Sequence, residues 1–195
     1  LGQENYRFHD HEKLAHYANA AADIEFKFPF GFKELEGIHS RTNFDLSAHE
    51  QYSGRKLQYF DPERNDYYVP YVVETSIGLD RMFLALFSNC LKDEVLEDGS
   101  ERTVLSLPPA LAPVKAAILP LVKKDGLPQF AEKIFNDLKY EFNVISEEKD
   151  SIGKRYRRQD AIGTPFCITV DHDSLADNTV TLRERDTMKQ ERVKV

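Results

Sequence analysis

A chain of 195 residues with 41% hydrophobic and 30% charged residues can hold one large domain or two small ones, and has the make-up of an ordinary globular protein. A net charge of −7 does not by itself point to nucleic-acid binding, and no apolar run approaches the length that crosses a bilayer. The opening residues carry no signal-peptide pattern, and a chain that begins with Leu1 rather than Met is expected to be a fragment of something longer. Cys90 and Cys167 fall within apolar patterns and read as reduced core residues of a cytosolic protein. The charge is uneven: residues 108–195 carry 15 Lys/Arg and 14 Asp/Glu, and residues 1–107 the remaining 11 and 19. An acidic first half beside a near-neutral second half hints at two units with different partners.

In chain order, His11-Glu12-Lys13-Leu14-Ala15-His16 predicts a helix running through Ala22. Its histidines are five apart, which turns them about 140° from each other on a helix, so they cannot chelate one metal ion from one face. Alternation from Ile24 to Phe30 predicts a strand ended by Pro29 and Gly31, and a second strand follows over Phe32–Arg41. Strict alternation puts Glu34 and Glu36 on one face. That face is either wet or binds a cation. Asp45–Tyr52 predicts a short helix closed by Gly54, followed by a hairpin of Lys56–Phe60 with Tyr67–Glu74 around Asp61–Asp66.

From Leu79, apolar residues recur at Met82, Phe83, Leu86, Phe87, Cys90 and Leu91, the spacing of an amphipathic helix. Arg81 lies in its first turn, where the macrodipole disfavours cations, and Gly78 lets a backbone or a flat ligand approach. A bound anion accounts for that cation, and so does a surface bridge to Asp80 or Glu74. Residues 92–103 are polar without periodicity and predict a surface loop or linker, while the prolines of Leu107–Pro113 mark a domain boundary.

Beyond it, a strand at Ala116–Val122 precedes a helix with an apolar stripe from Leu127 to Phe142 and Pro128 near its start. A strand at Phe142–Ile145 follows, then a helix from Ser151 to a stop at Gly163, and strands at Pro165–Val170, Thr179–Arg185 and Gln190–Val195. Strands alternating with helices imply a mainly parallel sheet covered by helices. Lys154, Arg155, Arg157 and Arg158 make the Ser151–Ile162 helix a candidate for phosphate contact. Pairing with Glu147, Glu148, Asp150 and Asp160 on a solvated surface accounts for the same charges.

Several stretches together resemble the C-terminal portion of the homodimeric class II glycine–tRNA ligase family. Phe28-Pro29-Phe30-Gly31-Phe32-Lys33-Glu34-Leu35-Glu36-Gly37-Ile38 is similar to that family's glutamate-bearing active-site strand, followed by Arg41-Thr42-Asn43-Phe44-Asp45-Leu46. Glu74-Thr75-Ser76-Ile77-Gly78-Leu79-Asp80-Arg81 is similar to motif 3 of class II synthetases. The stretches 154–166 and 180–188 resemble the anticodon-binding domain shared by several class II enzymes.

The resemblance implies the end of a catalytic domain over residues 1–106 and an anticodon-binding domain over residues 107–195. The expected fold class is α/β: an α+β part of an antiparallel synthetase sheet with its motif 3 helix, then an α/β domain with a mixed five-stranded sheet. It implies an ATP site at Glu34, Leu35, Gly78, Leu79, Asp80 and Arg81, with Arg81 against the nucleotide. It implies a glycine site at Glu74, Thr75, Ser76, Ile77 and Gly78, with Glu74 attracting the ammonium group, and gives Glu36 a weaker place in that acidic pocket. tRNA contacts are expected at Lys154, Arg155, Arg157 and Arg158.

The implied partners are ATP and glycine as substrates, tRNA(Gly), Mg2+ and a second subunit in the full-length enzyme, with no membrane, no DNA, no resident metal and a cytoplasmic location. Motif 2, which carries a catalytic arginine, and motif 1, which builds the dimer interface, are not visible in this sequence. The chain is therefore expected to be inactive alone, with its catalytic residues unassigned. Two alternatives are a tRNA-binding module beginning near residue 108 and a synthetase-derived accessory protein; intact Glu34, Glu74, Ser76 and Arg81 speak against the second.

Overall fold

Alternating polar and apolar side chains between Tyr6 and Ser40 form three antiparallel strands in the computed structural model, which describes residues 2–195: β1 (Tyr6–Asp10), β2 (Ala20–Phe28) and β3 (Gly31–Ser40). The polypeptide divides into two units after Ser88. In the first, helix α1 (Phe44–Ser53) and a short exposed hairpin, β4 (Tyr59–Asp61) and β5 (Asp66–Tyr68), lead to β6 (Val73–Ile77), and helix α2 (Leu79–Cys90) begins directly after it. The sheet order is β1-β2-β3-β6, all antiparallel.

One face of this sheet is greasy. Tyr6 packs edge-on to Phe26 and Phe26 to Phe28, with ring centroids 5.3 and 5.1 Å apart, and Leu35 and Ala85 of α2 complete the cluster. Full burial of each phenylalanine contributes about 1.5–3 kcal/mol. The opposite face carries Arg7, Asp23, Glu25, His39, Glu74 and Ser76, as the register of paired residues dictates.

In the second unit, β7 (Leu91–Val95) and β8 (Glu101–Leu105) form a hairpin. Then come β9 (Ala116–Pro120), α3 (Leu127–Leu138), β10 (Val144–Ser146), α4 (Ile152–Ile162), β11 (Phe166–Val170), α5 (His172–Asp177), β12 (Thr179–Glu184) and β13 (Gln190–Lys194). The five-stranded sheet runs β10-β9-β11-β12-β13, parallel across its first three strands and antiparallel across its last three. The core gathers Ala116, Ile118, Leu127, Ala131, Ile134, Val144, Val170 and Val180. α4 ends at Gly163, whose φ of +85° suits glycine and whose position leaves a Cβ only 3.1 Å from the Leu105 carbonyl oxygen.

The mixed sheet agrees with the expected α/β class, although the mainly parallel arrangement does not hold, because β12 and β13 return as neighbouring hairpin strands. Four local expectations also fail. Residues 11–22 are not helical: Ala20–Ala22 extend β2, and the His11 N–H donates to the Ala21 carbonyl at 3.0 Å. The expected long strand Tyr67–Glu74 splits at Pro70, which has no N–H to give a ladder. The apolar stripe from Leu127 leaves the helix after Leu138, before Phe142.

The polar stretch 92–103 is the β7–β8 hairpin rather than a loop, because Arg102 folds inward and is only 4% exposed. That hairpin falls in the second unit, ahead of the prolines at which composition places the boundary. Helix α5, unforeseen, starts on a capping box in which the Ser174 N–H donates to the Asp171 carboxylate at 3.1 Å.

Candidate functional site

The junction of β6 and α2 gathers the residues that the sequence marks for chemistry. Cross-strand partners share a face, so Glu74 lies with His39, and Ser76 lies with Gly37 and, one strand further, Asp23. Gly37 leaves this part of the face without a side chain; a Cβ there would meet the His39 ring at 3.1 Å.

Glu34 reaches the same face by an irregularity. The register shifts between Ile24 and Glu25, so that Glu34 pairs with Glu25 and Glu36 with Ile24, leaving Leu35 as the extra residue. A bulge of this kind reverses the facing of everything beyond it. Glu34 therefore joins Glu25, Asp23 and Ser76, while Glu36 lies opposite Ile24 and Ile77 on the other face. The expectation that Glu34 and Glu36 share a face is thus corrected, and Glu36 leaves the acidic pocket.

Arg81 meets neither Asp80 nor Glu74. It donates to the Glu34 backbone carbonyl, and its Nη1 lies 3.3 Å from the Glu34 carboxylate, both side chains being half exposed. Two of the six residues expected at the nucleotide, Glu34 and Arg81, are therefore in contact. Leu35 turns its side chain into the core, so only its backbone remains open to a ligand. Leu79 and Asp80 are exposed at the start of α2. Thr75 and Ile77 alternate with Glu74 and Ser76 and point to the opposite face, so the strand presents two of its four expected glycine-site side chains together.

Glu74 is held by an arginine outside the expected site residues. Arg41 donates from Nη1 to Glu74 Oε2 at 2.6 Å, and from Nε and Nη2 to Asp45 at 2.5 and 3.1 Å. Hydrogen bonding to Arg41 holds the Asp45 carboxyl below the usual carboxylate range, and the same pairing raises the Arg41 guanidinium. Among the described residues no three His, Cys, Asp or Glu side chains are placed to hold a metal ion.

In the second unit the basic helix resolves into different roles. Arg155 is 2% exposed and donates to the carbonyls of Pro120, Leu121 and Glu147 at 2.7, 3.2 and 3.1 Å. It finishes the backbone at the end of β9 and cannot meet a phosphate, which removes it from the expected tRNA contacts. Arg158 pairs with Glu147 and Asp150 at 2.5 and 2.9 Å, and hydrogen bonds to these carboxylates raise its guanidinium. Lys154 is exposed, and Arg157 donates to the Ser100 hydroxyl at 3.3 Å and lies close enough to Asp98 for its charge to favour that carboxylate.

Residues 115–195 match the family model described as "Anticodon binding domain". Over 193 residues the chain is 54% identical to the glycine–tRNA ligase of Chlorobaculum tepidum, covering 99% of this chain and 41% of that protein. The chain is similar to glycine–tRNA ligases over nearly its whole length. The Borrelia hermsii glycine–tRNA ligase is 53% identical over 199 residues, covering 100% of this chain and 45% of that protein. The chain thus spans somewhat over two fifths of the length of these curated relatives.

Among solved structures, the RNA-binding domain of threonyl-tRNA synthetase from Cryptosporidium parvum Iowa II matches with a TM-score of 0.68 at 21% identity, covering 92% of this chain and 41% of that one. The Giardia lamblia prolyl-tRNA synthetase complexed with prolyl-adenylate matches at 0.62 and 19%, covering 91% and 35%. At such identities these two likenesses show the fold alone. No helix among the described residues is long and apolar enough to cross a membrane.

Proposed function

We propose that this chain supplies one wall of the ATP and glycine site of a glycine–tRNA ligase, together with its anticodon-binding domain. The observation that carries the reading is the bulge at Leu35, which aims Glu34 onto the face shared by Glu74 and Ser76 and into contact with Arg81.

In the full-length enzyme, glycine's carboxylate attacks the α-phosphate of ATP, giving glycyl-adenylate and releasing pyrophosphate. The terminal ribose hydroxyl of tRNA(Gly) then attacks the carbonyl and releases AMP. Glu74 binds the substrate ammonium, with Ser76 beside it and Gly37 leaving space that a side chain would fill. Arg81 turns from Glu34 to the nucleotide, where a planar guanidinium suits both phosphate and a base ring. Gly78, Leu79, Asp80 and the Leu35 backbone border the nucleotide; Thr75 and Ile77 frame the strand.

Magnesium would arrive with the phosphates, whose charge it offsets, and we assign none of these residues to it. Lys154, Arg157 and Arg158 are the candidate tRNA contacts. A homodimer in the cytoplasm completes the reading, and the 195 residues alone are inactive because a motif 2 arginine is not among them.

Steady-state ATP–pyrophosphate exchange tests the two halves of the site in a full-length protein carrying this sequence. Arg81→Ala should raise the KM for ATP roughly tenfold or more with little effect on glycine, and Glu74→Gln should do the reverse. Unchanged KM values in both variants would contradict the assignment.

A further inference from the structure

The corner after β3 carries more structure than a turn requires. The Arg41 N–H donates to the Val72 carbonyl and the Val72 N–H to the Thr42 carbonyl, both at 2.9 Å, which ties this corner to the strand entering Glu74. Thr42 sits at φ +55°, a left-handed conformation that a β-branched residue rarely adopts, and its hydroxyl reaches the Tyr17 carbonyl at 3.4 Å. Strain of this kind persists where the surroundings over-determine it, and it clusters at functional sites. Its effect here is to deliver Arg41 to three partners at once: Asp45, Glu74 and the Tyr17 ring, whose centroid lies 4.1 Å from the guanidinium carbon.

We propose that Arg41 and Asp45 are positioning residues that set both the aim and the charge of Glu74 for the amino group of the amino-acid substrate. The inference rests on the reading of Glu74 as the ammonium-binding carboxylate. A lone arginine on Glu74 would fix its rotamer but cancel its charge, leaving little attraction for a cation. Asp45 takes two of the guanidinium's donors and returns one negative charge to the group, so Asp45, Arg41 and Glu74 together carry −1. Arg41 engages only Oε2, which leaves Oε1 to a ligand, and the Tyr17 ring prevents the guanidinium from swinging away. The forked geometry requires arginine; a lysine at this position meets one carboxylate at a time.

The test measures the KM for glycine and for ATP in pyrophosphate exchange by a full-length protein carrying this sequence, with melting temperature in parallel. Arg41→Lys and the near-isosteric Asp45→Asn should each raise the glycine KM roughly tenfold and leave the ATP KM within about a factor of two. A rise for Glu74→Gln alone, with both partner variants unchanged, overturns the proposal while sparing the reading of Glu74. Parallel rises in both KM values that follow a lower melting temperature mark a merely structural corner and overturn it too. If Glu74→Gln leaves the glycine KM untouched, the reading itself falls, and the proposal falls with it.

Discussion

Asp160 has no exposed surface and faces two guanidinium groups: Arg183 donates to both its oxygens at 2.8 and 3.0 Å, and Arg102 adds a third bond at 3.1 Å. Removing such a partner leaves buried charge uncompensated. Asp160→Ala is therefore expected to destabilise the second unit by about 3–5 kcal/mol in denaturant unfolding. A loss below about 1 kcal/mol would mean that water reaches the arginines.

Single residues were legible where apolar patterns marked them as core: both cysteines are buried, with burial pushing the Cys167 thiol up to about 12. The fate of Arg155 was not legible, because residue counts do not reveal the carbonyls of Pro120 and Leu121 that it satisfies. Arg41 lies four residues before Asp45 at a strand end, a spacing that signals a charge pair across the corner.

Elements follow the sequence where local signals govern them, as in α4 and β9, and depart from it where distant partners decide. The hairpin β7–β8 looks like solvated loop because its polar residues outnumber the apolar ones. Tertiary pairing makes it a strand pair: Arg102 reaches Asp160 on α4 and the Arg185 carbonyl beside β12. The bulge in β3 is illegible for a similar reason, since alternation holds only until the partner strand slips.

α4 carries the sharper prediction. Arg155 is internal and Arg158 already has two carboxylates, so Lys154 and Arg157 are the cations with most freedom to meet phosphate. Replacing both with alanine should weaken tRNA binding and lower the salt slope by about 1–2, against less than 1 for Arg158→Ala. A slope unchanged by the double variant would assign this helix to solvent.

At the scale of the molecule, each unit has its own apolar cluster and its own chemistry: a sheet face rich in carboxylates in the first, and a mixed sheet of anticodon-binding type in the second. The acidic balance of residues 1–107 fits a site for a small cationic group, since that half supplies Asp23, Glu25, Glu34, Asp45 and Glu74 to one neighbourhood of the fold. Charge and the prolines suggest a division near residue 107, while packing groups the β7–β8 hairpin with the elements that follow it and draws the line after Ser88.

We propose that the face bearing Glu74, Ser76 and Gly37 selects glycine. Amino-acid-dependent ATP–pyrophosphate exchange by a full-length protein carrying this sequence tests it most directly, with glycine compared against alanine and serine. Exchange supported by glycine and at least about a hundredfold weaker with the other two is the predicted result. Equal exchange with alanine or serine, or none with glycine, would contradict it.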